Sequence, residues 1–125
     1  MPDRRLIDTT ILVDHLRGRE DARRYLKSIE GAKSVSVVSR AELFAGVSDE
    51  EDQQEVETLL SVFRAYEVTA LIAERGGFFK RDYQPSHGTG IADALIAATA
   101  DVRNERLVTL NEKHFPMLED IIVPY

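Results

Sequence analysis

The stretch RRLIDTTILVDHL, residues 4–16, decides how the rest of the chain is read. Leu6 and Ile7 sit in a short apolar run, which predicts a strand. Asp8 follows at once. Beyond it Ile11, Leu12 and Leu16 recur at helical spacing, and Gly18 stands where a helix stops. A strand running through an acid into an amphipathic helix is the opening unit of an α/β fold. Asp is a favoured helix N-cap. The bland role of Asp8 is therefore a cap, and the sharp one is a metal ligand.

Working outward, the pattern repeats. EDARRYLKSIEG (20–31) predicts a second helix, with Ala22, Leu26 and Ile29 inward and Gly31 as its stop. SVSVV (34–38) is β-branched and predicts a buried strand, with a helix in SRAELFAG (39–46) after it. SDEEDQQEVETLLSVF (48–63) has an acidic first turn, which suits the positive end of a helix dipole, and an apolar stripe of Val56, Leu59, Leu60 and Phe63. YEV (66–68) reads as a third strand. ALIAERGGFFKRDY (70–83) reads as a helix that Gly76-Gly77 is expected to break or kink, and QPSHGTG (84–90) as a turn-rich loop. IADALIAATADVRNE (91–105) is the clearest helix. RLVTL (106–110) is a fourth strand and DIIVPY (120–125) a short last one.

Strand–helix alternation with short connections predicts an α/β fold around a mostly parallel sheet. No repeat or linker divides the chain, so residues 1–125 are expected to form one domain. Ligands of such sheets gather at the carboxyl ends of the strands. Asp8 and Asn111 follow strands there, and Glu42 lies one helical turn beyond another.

Composition narrows the classes. The chain is 43% hydrophobic, enough for one core, and holds no cysteine, which excludes disulfides and thiolate zinc sites. It has no apolar run of about 18 residues to span a membrane, and MPDRRLID lacks the apolar core of a signal peptide. A cytoplasmic location is expected. A net charge of −6 disfavours coating nucleic acid by broad phosphate neutralisation. An acidic domain still cuts nucleic acid where metal ions supply local positive charge.

The acids carry different weight. Ser39-Arg-Ala-Glu42 matches the capping box, a structural role for Glu42. Asp93 sits among Ile91, Ala92, Ala94, Leu95, Ile96 and Ala97, on a helix apolar on every side and so expected to be buried, with Ile91, Leu95, Ala98 and Val102 as one stripe. A buried carboxylate must be paired, hydrogen-bonded or metal-bound. No Lys or Arg lies within a turn of Asp93, so its partner is expected from elsewhere in the fold: a distant base or a cation. Asn111 reads equally as a turn residue. The acidic run at 49–57 reads as a solvated helix face. His15, His87 and His114 form no metal-binding pair and read as structural or exposed. No Walker lysine loop, dinucleotide fingerprint or nucleophile elbow occurs.

Together LIDTTILVDHL, VSRAELFAG, GIADALIAATA and LVTLNEKHF, in that order, resemble the PIN domain, and within it the VapC-like toxins of toxin–antitoxin pairs. The resemblance implies a three-layer α/β/α domain with a central sheet of four to five strands. It implies a metal-dependent endoribonuclease in which Asp8, Glu42 and Asp93 hold Mg²⁺ or Mn²⁺, hard cations that take oxygen ligands, and in which water activated by the ion attacks the phosphodiester. The family's fourth position, often Asp, is Asn111 here; it adds no charge, and neighbouring Glu112 is the compensating candidate. Thr9, Thr10 and Thr109 would supply hydroxyls that fix the ligands. Lys80, Arg81 and Lys113 are candidates to guide RNA. A VapB-like antitoxin and a homodimer are the implied partners. The rival reading is a non-catalytic PIN-like module that binds RNA or protein, its acids serving as caps. A haloacid-dehalogenase-like enzyme is disfavoured because it needs D-x-D where this chain has Asp8-Thr9-Thr10, and the acids of a phospho-receiver domain are not arranged here.

Overall fold

A computed structural model describes residues 3–125. Four parallel strands form one sheet in the order β3-β2-β1-β4: β1 (Arg5–Ile7), β2 (Lys33–Ser36), β3 (Arg64–Tyr66) and β4 (Arg106–Val108). The helices α1 (Thr9–Leu16), α2 (Glu20–Ser28), α3 (Val37–Ala45), α4 (Glu50–Leu60), α5 (Ala70–His87) and α6 (Ile91–Arg103) connect them. Because side chains alternate across a strand, β1 and β4 feed a core on each face. Ile7 and Val108 join Ile11, Leu12, Val35 and Leu60 on one side. Leu6 and Leu107 meet Ile96, Ala97 and Phe115 on the other. Two cores around one sheet are the expected three-layer architecture.

Several boundaries differ from the sequence reading. Strand β2 stops at Ser36, and Val37 and Val38 already belong to α3. The cause is Ser36, whose hydroxyl accepts from the Val38 amide at 3.0 Å and caps the helix two residues before the expected start. The third strand is RAY rather than YEV. The expected strand at 120–125 reduces to a single bridge, Val108 to Ile122, so among the described residues the sheet has four strands. Helix α2 ends at Ser28, before Gly31.

The larger correction concerns α5, which runs unbroken through Gly76-Gly77 and Pro85 to His87. Gly76 is there for proximity, not flexibility. A Cβ on it would stand 2.7 Å from Leu95 Cδ2 and 3.3 Å from Leu95 Cα in α6. The helix stops where Gly88 adopts a left-handed φ of 70° and returns its amide to the Gln84 carbonyl. Pro85 falls in the final turn, where its missing N–H costs the Arg81 carbonyl one helical bond and little helix remains beyond it to be kinked. The stripe expected on α6 is also displaced. Of its members Ala98 is fully buried, but Ile91 is exposed, Leu95 and Val102 are half-buried, and the packed face adds Ala94, Ile96, Ala97 and Ala100.

Candidate active site

The carboxyl edge of the sheet is where the acids meet. Asp8 directly follows β1, and its amide donates to Val108 O at 2.9 Å, tying it to the end of β4. Helix α3 carries Glu42 out from β2. The N-terminus of α6 lies at the same edge because its C-terminus must feed β4, which places Asp93 in its first turn. Asp8, Glu42, Asp93 and Asn111 line one cleft of about 360 Å³, with Thr9 and Thr10 beside them. Glu112 is exposed on the short 3-10 turn Glu112–His114 and does not line it.

None of these acids is a cap. Asp8 holds the N-cap position of α1 yet makes no side-chain capping bond. Instead the hydroxyls of Thr10 and Thr109 donate to its Oδ2, at 2.9 and 2.8 Å. The same two hydroxyls accept the amides of Leu110 and Asn111, at 3.2 and 3.0 Å, and so fix the loop after β4 against β1. Glu42 is released from the expected capping box because Ser39 is inside α3 and fully buried. Thr9 Oγ1 lies 2.7 Å from Glu42 Oε1 and 2.8 Å from Ser39 Oγ. A hydroxyl has one proton and a carboxylate only accepts, so Thr9 donates to Glu42 and accepts from Ser39. Asn111 starts the 3-10 turn without capping it.

Burial is distributed differently from the sequence expectation. The deeply buried acid is Asp8, at 3% exposure, whereas the Asp93 side chain keeps 27%. Asp93 finds its distant base in His114, with Nδ1 at 3.3 Å from Oδ2. His114 was not legible as part of the site, since 21 positions separate it from Asp93 and no periodicity links them. Asp14 and Arg17 also line the cleft, and Arg17 had a signal. Thr9, Val13 and Arg17 recur every four residues and share one face of α1.

The site is electrostatically strained. Burial pushes the Asp8 carboxyl above the usual carboxylate range; the Thr109 and Thr10 hydroxyls pull it down, and the charge of Asp93 pushes it up again. Glu42, although at the exposed rim, is also raised, first by loss of solvent and then by Asp8 and Asp93, against the lowering by Thr9. No Lys, Arg or His pairs with Asp8 among the described residues. Among the described residues no three or more His, Asp or Glu side chains stand close enough together to hold a metal ion as placed. Thr109→Val removes a donor from a buried acid. It is expected to raise the Asp8 pKa further and to destabilise by about 1–2 kcal/mol, measurable by carboxyl NMR titration and urea unfolding.

The model of the PIN domain family matches residues 5–119. The chain belongs to the PIN domain family. Ribonuclease VapC10 of Mycobacterium tuberculosis is 46% identical to this PIN domain over 96% of the chain and 92% of its own length. Ribonuclease VapC19 of the same species is 43% identical, over 97% of the chain and 99% of its own length. Among solved structures, a toxin–antitoxin complex from Klebsiella pneumoniae superimposes with a TM-score of 0.82 at 28% identity, covering 96% of this PIN domain and 97% of that chain.

Proposed function

We propose that this PIN domain is a VapC-type toxin, a divalent-metal-dependent endoribonuclease held in check by a VapB-like antitoxin. The observation that carries the reading is the meeting of Asp8, Glu42 and Asp93, from three distant parts of the chain, in one cleft at the carboxyl edge of a parallel sheet. The likeness to two VapC ribonucleases and to a toxin–antitoxin complex supports the substrate class and the partner. The non-catalytic alternative treats the acids as caps, and their side chains do not cap.

The donor set fits a divalent ion. It is all oxygen, which suits Mg²⁺ or Mn²⁺. Its innermost member, Asp8, is a buried carboxylate without a counter-charge among the described residues, the state a cation relieves. Asp8, Glu42 and Asp93 would hold the ion, and the Asn111 amide oxygen adds a neutral donor or orients water. When bound, the ion offsets the repulsion among the acids and polarises the scissile phosphodiester. The chain's own groups do the rest. Thr10 and Thr109 fix the Asp8 oxygen, Thr9 fixes Glu42 Oε1, and His114 fixes Asp93. Glu42 Oε1, fixed by Thr9, would also orient the attacking water, which gives up its proton to solvent while the departing ribose oxygen takes one up as its P–O bond breaks. Lys80, Arg81 and Lys113, the candidates to guide RNA, do not line the cleft; Lys80 bonds Gln84 and Arg81 pairs with Asp82 on the surface. A homodimer belongs to the same proposal: Leu71 and Phe78, seven residues apart on α5, share an exposed apolar face, and light scattering on the purified chain reports its mass.

The test is RNA-end mapping in cells expressing the wild-type chain or Asp93→Asn, paired with cleavage of the identified RNA in Mn²⁺, Mg²⁺ or EDTA. New RNA ends in the wild type alone, lost in EDTA, are expected. Identical end maps for the two proteins would remove the reading.

A further inference from the structure

The cleft that gathers the acids admits one exception to its charge. Among the described residues Arg17 is the only Lys or Arg that lines it. Arg17 follows α1 as its C-cap residue, is exposed, and also lines the adjoining groove bounded by Leu43, Val47 and Val56. It therefore stands at the mouth shared by the cleft and the groove. A cation is favoured at a helix C-terminus, but that preference does not explain why none of the surrounding acids holds it.

Each acid of the cleft is held by another group, and in the adjoining groove Asp52 accepts from Ser48 while Glu55 makes no ion pair with Arg17. Asp14, one turn back on the same helix, accepts from the Tyr125 hydroxyl at 2.8 Å and lies 3.7 Å from Arg19. Arg19 in turn covers the Tyr125 ring at 4.9 Å. The chain's last side chain and the next arginine thus take Asp14 out of competition. Asp8 is held by two threonine hydroxyls, Glu42 by Thr9 and Asp93 by His114. The result is a guanidinium beside a carboxylate cleft with no acid at ion-pair distance among the described residues.

We infer that Arg17 is a substrate-binding residue that grips an RNA phosphate next to the scissile bond. This deepens the functional proposal above and rests on it. A polyanion approaching Asp8, Glu42 and Asp93 meets repulsion wherever the bound cation does not reach. A planar guanidinium at the mouth offers a fork of N–H donors that matches two phosphate oxygens. Its contact reads no base and fixes only the register of the strand.

The experiment measures binding of a fluorescein-labelled, mixed-sequence single-stranded RNA 30-mer by anisotropy, between about 50 and 200 mM KCl. Asp8→Asn is the parent, so that bound RNA is not cut. Adding Arg17→Gln is expected to weaken binding about tenfold, the worth of one charge-assisted hydrogen bond. It is also expected to lower the slope of log K against log salt by about 0.7, one phosphate's share for a single strand. Arg17→Lys restores most of the slope and less of the affinity. Melting curves equal to the parent's exclude unfolding, since the Arg17 backbone alone makes the helix-end bonds. A parent that binds RNA and an Arg17→Gln variant with the same affinity and slope overturn the inference while leaving the ribonuclease reading intact. A parent that binds no RNA, with a wild type that cuts none, overturns both. Loss of a co-expressed protein partner from Arg17→Gln with unchanged RNA affinity also overturns it, and assigns the guanidinium to that partner.

Discussion

Asp8→Asn is expected to abolish RNA cleavage and, without divalent metal, to melt higher than the wild type. The two effects share a cause. Burial and the charge of Asp93 raise the Asp8 carboxyl above its unfolded value, and the threonine hydroxyls recover only part of this. A raised acid is one that the fold prefers protonated. Its stability contribution is complete below the unfolded pKa and is lost as pH rises through the folded one, so at neutral pH the ionised Asp8 weighs against the fold. The amide carries no charge to desolvate, and hydroxyls at Thr10 and Thr109 can turn to meet it. Differential scanning fluorimetry in EDTA is therefore expected to place the variant a few degrees above the wild type at pH 7.5, with the gap closing as pH is lowered. Adding Mn²⁺ is expected to stabilise the wild type by mass action and to leave the variant nearly unmoved. Cleavage is expected to fall at least about 10³-fold, or about 4 kcal/mol of transition-state stabilisation. A variant that cuts RNA at wild-type rate in Mn²⁺ removes Asp8 from the chemistry.

The same geometry explains which parts of the molecule the sequence disclosed. Strand β1, helix α1 and the position of Asp8 were legible because apolar runs, helical spacing and an acid at the junction agree. Glu42 and Asp93 were legible as site candidates, but their surroundings were not. Ser39-Arg-Ala-Glu42 satisfies the capping-box pattern, and the actual cap three residues earlier depends on one hydroxyl bond from Ser36, which β-branched Val37 and Val38 concealed. The burial of Asp93 was overestimated because composition counts neighbours along a helix and not the cleft that opens at its first turn. His114 and Asp14 acquire their roles from contacts across 21 and 111 positions, which no local pattern encodes. The glycine pair in α5 misled for a similar reason: whether glycine breaks a helix or admits a neighbour is decided by what lies opposite.

That last distinction makes opposite predictions for adjacent residues. Gly77 has nothing within 4 Å of where a Cβ would sit. Gly77→Ala only removes backbone freedom from the unfolded chain and is expected to stabilise by about 0.5–1 kcal/mol. Gly76→Val places a branched side chain where even a Cβ meets Leu95 Cδ2 at 2.7 Å, Leu95 Cα at 3.3 Å and the Ala94 carbonyl at 3.4 Å. The Leu95 methyl can rotate away, but the α6 backbone can only retreat. Overpacking of this kind costs about 1–3 kcal/mol, and Val, only slightly better than Gly as a helix former, offsets little of it. The midpoint is expected to fall by roughly 4 °C for each kcal/mol. Retreat of α6 also carries Asp93, two residues before Leu95, away from Asp8 and Glu42, so Gly76→Val is expected to lose cleavage even at temperatures where it stays folded. Gly76→Ala lies between, with a gain in helix propensity of about 1 kcal/mol set against the shift of Leu95. Thermal melts and RNA cleavage of the three variants separate the cases. Equal melting of Gly76→Val and the wild type contradicts close approach of the two helices, whereas a loss of stability at Gly77→Ala contradicts an open outer face of α5.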